Sequence, residues 1–153
     1  MIRTKMDDPF LDDDNGIHRL LEEWKTHGKL IIAFDFDNTI YDYYKQGIKF
    51  PRVIQLLKNY KAQNLAYFTC FTSCDESRFE FIKEYCIENE IPLDAINESP
   101  DFIEFTGRKV YYNVLLDDRA GLLSAYQQLN TLYYLIMAEK ESKKWGPPSK
   151  FGY

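Results

Sequence analysis

Residues 29–40 read KLIIAFDFDNTI, an apolar run that ends in acidic and polar residues. A short, uninterrupted apolar run of this kind is typical of a strand buried on both faces of a parallel sheet. We therefore predict a central strand over residues 29–35. Because ligands in such sheets bind beyond the carboxyl ends of the strands, Asp35 and Asp37 are the first candidate functional residues.

Strand and helix patterns alternate along the rest of the chain. We predict further strands over residues 65–71, 92–96 and 113–116, the second of these being the weakest pattern. Helical patterns lie around and between them, over residues 17–24, 51–60, 79–86 and 122–137. This alternation predicts an α/β fold, with a Rossmann-like parallel sheet flanked by helices on both faces.

Length and composition favour one globular domain. The chain has 153 residues, of which 45% are apolar and 28% charged, as is usual for such domains. We divide it into an N-terminal extension with a helix (1–28), a core (29–140) and a basic tail (141–153). The net charge of −5 weighs against a non-specific binder of long nucleic acids, which needs a broad cationic surface.

The sequence gives no sign of membrane insertion or of a disulfide framework. Its longest apolar run, Leu30 to Phe34, is far shorter than the roughly 20 residues that cross a bilayer, and the N-terminus lacks a signal-peptide pattern. We therefore expect a cytoplasmic protein without membrane contact. The three cysteines, Cys70, Cys74 and Cys86, lack zinc-ligand spacing, and we expect them to be reduced thiols.

Polar side chains follow three of the predicted strands directly. Asp35 and Asp37 follow the first, Thr72 the second, and the pair Asp117 and Asp118 the fourth. The carboxyl ends of parallel strands share one edge of a sheet, so these residues are expected to converge. Several carboxylates in one cleft repel each other unless a cation is present, and hard oxygen ligands suit magnesium. The pattern therefore implies a bound Mg²⁺.

These residues also carry a family resemblance. Residues 35–40, DFDNTI, resemble the first motif (Asp-x-Asp-x-Thr) of the haloacid-dehalogenase phosphatases. Thr72 is similar to the hydroxyl of the second motif, Lys109 to the lysine of the third, and the pair at 117–118 to the acidic fourth motif. About two dozen residues separate Ile40 from the second strand, which leaves no room for a cap domain. The chain thus resembles a short, capless member of the family.

The resemblance implies a magnesium-dependent phosphomonoester hydrolase with an aspartyl-phosphate intermediate. Asp35 would be the covalent nucleophile, and Asp37 the general acid and base. Lys109 would stabilise the transferring phosphoryl group and restrain Asp35. The implied magnesium ligands are Asp35, the backbone carbonyl of Asp37, Asp117, and Asp118 as a further ligand or an outer support.

We expect Thr72 to bind the substrate phosphate, with Ser73 and Asn38 as further candidates. Asn38 stands where the family often has glycine. Ser73 and Glu76 are three residues apart, the spacing of a capping box that starts a helix. We therefore favour a helix-capping role for Ser73 over direct contact with phosphate.

The position of Lys109 presents a geometric difficulty. Eight extended residues would place it roughly 26 Å from Asp117, at the wrong end of the sheet. We therefore predict that residues 105–112 are not all strand, and that they turn or coil so that Lys109 returns to the active edge. Arg108 is the substitute cation, because arginine also clamps phosphate.

The sequence motifs do not determine which phosphomonoester is the substrate or which partners the protein has. A nucleotide, a phosphosugar and a nucleic-acid terminal phosphate are all compatible with the motifs. The aromatic residues Tyr41, Tyr43, Tyr44 and Phe50 either stack on a base or sugar or pack on their own domain. The apolar helix over residues 122–137 is a possible homo-oligomer interface. The alternative function is a catalytically weak module that binds phosphate and magnesium and regulates a partner.

Overall fold

The computed structural model of the chain describes residues 8–144. In chain order the main elements are α1 (Asp13–His27), β1 (Leu30–Phe34), α2 (Pro51–Ala62), β2 (Ala66–Cys70), α3 (Phe79–Glu88), β3 (Ala95–Ile96), β4 (Val114–Leu116) and α4 (Leu122–Lys144). Single turns of 3-10 helix, Pro9–Leu11 and Glu76–Arg78, precede α1 and α3. Most of the predicted basic tail, residues 145–153, lies outside the described residues.

All four strands form one parallel sheet in the order β3-β2-β1-β4. The predicted central strand is confirmed, because β1 pairs with β2 along its whole length and with β4 from Ile32 to Phe34. The α/β class, a parallel sheet flanked by helices, is confirmed as well. The prediction placed helices on both faces, whereas buried residues of all four α-helices belong to one cluster and the segment after β3 lies against the opposite face. Most bounds differ from prediction by one or a few residues, and the larger differences are that β3 has only two residues, α1 already begins at Asp13, and α4 continues to Lys144.

The core lies against one face of the sheet. Leu30, Ile32 and Phe34 of β1 belong to a continuous buried cluster that includes residues from all four α-helices. Ile31 and Ala33 alternate with them, are also buried, and lie outside this cluster. Full burial of each large apolar side chain contributes about 1.5–3 kcal/mol, so this face supplies most of the stabilisation that fixes β1 in the centre.

Helix α1 is an integral part of this packing. Leu20 and Trp24 are buried in the main cluster, and the side chain of Asn113 fastens the helix to the sheet. Its Nδ2 donates to Glu23 Oε2 at 2.5 Å, while its Oδ1 accepts from the Ile31 amide at 2.6 Å. The predicted N-terminal extension therefore carries a helix that the core requires.

Residues 97–113 join β3 to β4 without helix or strand. The prediction that residues 105–112 are not all strand is confirmed. This segment reaches the sheet face opposite the main cluster, where the Phe102 ring meets the Tyr67 ring of β2 at 6.1 Å. Within residues 8–144, no helix combines the length and the apolar character that a bilayer crossing demands.

Candidate functional site

Backbone hydrogen bonds join the ends of three strands around Asp35. The Asp35 amide donates to the Leu116 carbonyl at the end of β4, and the Phe71 amide beyond β2 donates to the Phe34 carbonyl, both at 2.8 Å. The chain leaves all three strands beside one cleft of about 550 Å³. The residues that line it are Asp35, Asp37, Asn38, Tyr43, Tyr44, Phe71, Thr72, Ser73, Asp117, Asp118 and Arg119.

Three carboxylates meet in this cleft. One oxygen each from Asp35, Asp117 and Asp118 lies within 4.8 Å of the others. Burial, a hydrogen bond with Asp118 and the charges of Asp117 and Asp118 together raise the pKa of Asp35 to about 7, and burial is the largest of these causes. Without a cation, burial and the acidic neighbours thus keep Asp35 partly protonated near neutral pH.

This carboxylate set fits magnesium. The ion takes six hard oxygen ligands at about 2.1 Å, so neighbouring ligands lie about 3 Å apart and opposite ones about 4.2 Å. The three carboxylate oxygens lie within 4.8 Å of one another, near enough to converge on one ion. The predicted ligands Asp35, Asp117 and Asp118 are therefore together, and Asp37 lines the same cleft.

Thr39 joins the tips of β1 and β4. Its side chain is completely buried, and its Oγ1 donates to Asp35 Oδ2 at 3.3 Å while accepting from the Asp118 amide at 3.2 Å. A hydroxyl is suited to this position because it donates and accepts at once. Thr39 therefore fixes the orientation of Asp35 relative to the acidic pair.

The turn after Asp37 explains the asparagine at position 38. Asn38 has a φ of 59°, in the left-handed region that asparagine tolerates better than most residues with a side chain. Its amide donates to the Tyr41 carbonyl at 2.7 Å. The replacement of glycine by asparagine is thus compatible with the tight turn, and it places the Asn38 side chain at the cleft.

Arg78 is a functional candidate that the sequence analysis missed. Its guanidinium binds the Asp37 carboxylate through two hydrogen bonds, of 2.6 and 2.8 Å, and this pairing raises the pKa of Arg78. The same guanidinium lies 5.2 Å from the Phe36 ring and 5.7 Å from the rings of Tyr41 and Phe81. Aromatic faces and a two-pronged ion pair together hold Asp37 in one orientation.

Thr72 is held in place by Asn97, a second residue that motif matching did not reveal. The Asn97 side chain accepts from the Thr72 amide and donates to the Thr72 carbonyl, both at 2.8 Å. The Thr72 hydroxyl accepts from the Cys74 amide at 3.3 Å, which leaves the hydroxyl proton to donate to a ligand. The signal for Asn97 was its position directly after β3, beside the end of β2.

The predicted capping role of Ser73 is wrong. Asp75 caps the turn instead, because its Oδ1 accepts from the Ser77 amide at 2.7 Å, and α3 begins only at Phe79. Aspartate is as good a cap as serine, and here it lies two residues closer to the helix. Ser73 is left at the cleft, where it is exposed.

Lys109 does not line the cleft in this structure. The side chain is exposed, and its Nζ lies 5.9 Å from the centre of the Tyr112 ring. The Tyr112 ring in turn lies 6.2 Å from the ring of Phe71, a residue of the cleft. Lys109 is thus one aromatic layer away from the cleft, and Arg119 is the basic residue that lines it.

The fold and this cleft define an α/β protein with an acidic site at the carboxyl ends of a parallel sheet. A conserved protein from Bacteroides thetaiotaomicron is similar in structure, with a TM-score of 0.54 and 21% sequence identity, over 72% of this chain and 92% of that chain. At this identity the likeness concerns the fold alone. No protein-family model matches the chain, and no curated protein matches it significantly.

Proposed function

We propose that the protein is a magnesium-dependent phosphomonoester hydrolase of the capless haloacid-dehalogenase type, with Asp35 as its covalent nucleophile. The observation that carries the proposal is the convergence of Asp35, Asp37, Thr72, Asp117 and Asp118 on one cleft. These five residues belong to the first, second and fourth of the family's four motifs, and they follow the ends of three different strands. Separate turn or capping roles would not bring all of them together.

The first half of the reaction is attack by Asp35 on phosphorus. One carboxylate oxygen forms the new bond to phosphorus, and the bond from phosphorus to the leaving oxygen breaks. Bound Mg²⁺, held by Asp35, Asp117, Asp118 and the Asp37 carbonyl, would neutralise charge between the nucleophile and the phosphate. Thr39 keeps the Asp35 carboxylate oriented by its hydrogen bond.

The second half is hydrolysis of the aspartyl phosphate. Asp37 accepts a proton from the attacking water, having earlier protonated the leaving oxygen. Arg78 donates to both oxygens of Asp37 and so holds the carboxylate in one orientation. Protonation of the leaving group therefore requires that Asp37 loosen from Arg78 while it holds the proton.

Phosphoryl oxygens are bound by donors around the cleft. The Thr72 hydroxyl and the exposed Ser73 hydroxyl are the neutral donors, and the Asn38 side chain faces the same space. Arg119 follows the acidic pair directly and lines the cleft, so it supplies the cation that was predicted to be Lys109, with Arg108 as substitute. Arginine matches the geometry of phosphate through two parallel N–H groups.

The test is turnover of para-nitrophenyl phosphate with and without Mg²⁺. We expect magnesium-dependent release of nitrophenol by the wild type and none by Asp35→Asn, because the amide is not a nucleophile. Asp101→Asn, an exposed position away from the cleft, is the matched control and should retain full activity. Full activity of Asp35→Asn would contradict the proposal.

One observation favours the alternative, a regulatory module with slow turnover. Arg78 occupies both oxygens of Asp37, and a slow exchange of that pair would delay hydrolysis of the aspartyl phosphate. Mass spectrometry after incubation with an aryl phosphate distinguishes the two functions. A persistent phosphoryl adduct on Asp35 supports the module, whereas rapid turnover without an adduct supports the hydrolase.

A further inference from the structure

The tyrosine-rich segment after β1 divides into a packed part and an exposed part. The Tyr41 ring stacks on the Phe36 ring at 5.0 Å and contacts the rings of Phe81 and Tyr85, so it belongs to the domain's own packing. Tyr43 and Tyr44 differ, since they are 53% and 63% exposed and contact each other edge to face at 5.1 Å. Both line the cleft that contains Asp35.

This exposed pair stands on an ordered turn. The Asp42 carboxylate accepts from the amides of Gln46, Gly47 and Ile48 at 3.0, 2.7 and 3.2 Å. These three bonds close the loop around Asp42 and fix the backbone on which the two tyrosines stand. The backbone that carries both rings is therefore ordered before a ligand binds, which lowers the entropy cost of binding.

The size and charge of the cleft restrict what can lie on these rings. A volume of about 550 Å³ is that of a site for one small molecule. Phe71 adds a third aromatic side chain to the lining, and Arg119 adds a cation. A phosphate bound near Asp35 would leave its organic part facing the tyrosines. The net charge of −5 disfavours extended contact with a polyanion.

We propose that the substrate is a nucleoside monophosphate unit whose base stacks on the face of one ring of the Tyr43–Tyr44 pair and meets the edge of the other. This inference rests on the proposed hydrolase function and names its substrate class. Every nucleobase offers a flat π-face, and stacking on an aromatic side chain is among the main ways in which proteins hold one. The unit comes either from a free nucleotide or from the phosphorylated end of a strand, which share this chemistry.

The test compares hydrolysis of adenosine 5′-monophosphate and thymidine 5′-monophosphate with that of ribose 5-phosphate. We expect kcat/KM to be higher for both nucleotides, and Tyr44→Ala to reduce that preference by about 5–150-fold, the contribution of one stacked base. Tyr44→Phe should keep it. Tyr134→Ala is the matched control, because Tyr134 has the same 63% exposure on α4, and it should leave the preference at the wild-type value.

A preference that is unchanged in both Tyr43→Ala and Tyr44→Ala, or absent from the wild type, would overturn the inference. Turnover of para-nitrophenyl phosphate in the same preparations keeps that result separate from failure of the hydrolase proposal. NMR titration of the inactive Asp35→Asn variant with adenosine 5′-monophosphate and Mg²⁺ tests stacking without turnover. Weaker binding by the double variant Asp35→Asn/Tyr44→Ala than by Asp35→Asn supports stacking on Tyr44, and equal binding contradicts it. A 5′-phosphorylated trinucleotide, compared with the free nucleotide, identifies the source.

Discussion

Replacing threonine by valine at two buried positions should change stability in opposite directions. Thr69 and Thr39 are both completely buried. Thr69 lies in β2 between Ala33 and Ala95 of the neighbouring strands, and among residues 8–144 its Oγ1 is the buried side-chain oxygen without a hydrogen-bond partner. Thr39 instead bonds to Asp35 and to the Asp118 amide.

The magnitudes follow from what each hydroxyl does in the folded state. An unsatisfied buried hydroxyl costs about 1–3 kcal/mol, and valine has nearly the same shape without that cost. We therefore expect Thr69→Val to raise the free energy of unfolding by about 1 kcal/mol. Thr39→Val loses two hydrogen bonds, each worth about 0.5–1.5 kcal/mol. Because both are longer than 3 Å, a loss of about 1 kcal/mol is expected.

Urea unfolding of the metal-free protein, followed by circular dichroism, measures both changes. In thermal unfolding of the same variants, 1 kcal/mol corresponds to a shift in Tm of about 2–4 °C for a chain of this size. Thr106→Val, at an exposed position, is the control for the substitution itself and should change little. Destabilisation by Thr69→Val as large as that by Thr39→Val would refute this reasoning.

Two further predictions concern the cleft. The pKa of Asp35 is raised to about 7 without metal, and a metal ligand must be deprotonated. Mg²⁺ affinity should therefore fall about ten-fold from pH 8 to pH 6. Titration calorimetry measures this change, and a pH-independent affinity would contradict metal binding by the carboxylate cluster. Arg78→Ala should lower kcat by about 10–100-fold through misplacement of Asp37, with partial rescue in Arg78→Lys; an unchanged kcat in Arg78→Ala would exclude a positioning role for this pair.

Secondary structure was predicted correctly where the local sequence pattern was strongest. The apolar run at 29–35 became the central strand, since burial on both sides leaves few other conformations for it. β3 was predicted over residues 92–96 and has only Ala95 and Ile96. Before Ala95, the Asp94 side chain rather than a backbone carbonyl accepts from the Phe68 amide of β2, and Pro92 has no amide to donate. This pairing is a tertiary property that the local pattern does not contain.

The site was predicted where motifs meet strand ends and missed where contacts are remote. Asp35, Asp117 and Asp118 could be anticipated because parallel strands end at one edge. Arg78 could not, since its pairing with Asp37 joins residues 41 apart through the packing of α3 and its preceding turn. The prediction that Lys109 returns to the cleft was wrong, because its position depends on the course of an irregular segment, for which no periodicity exists.

The position of β4 in the sheet has a consequence for assembly. β1, β2 and β3 are neighbours formed by successive crossovers, whereas β4 is added to the free edge of β1, through contacts such as the one between Ile31 and Asn113, 82 residues apart. During synthesis the acidic cluster is therefore incomplete until the fourth strand has left the ribosome and docked. A divalent ion held there would selectively stabilise fully assembled chains over those still lacking their last strand.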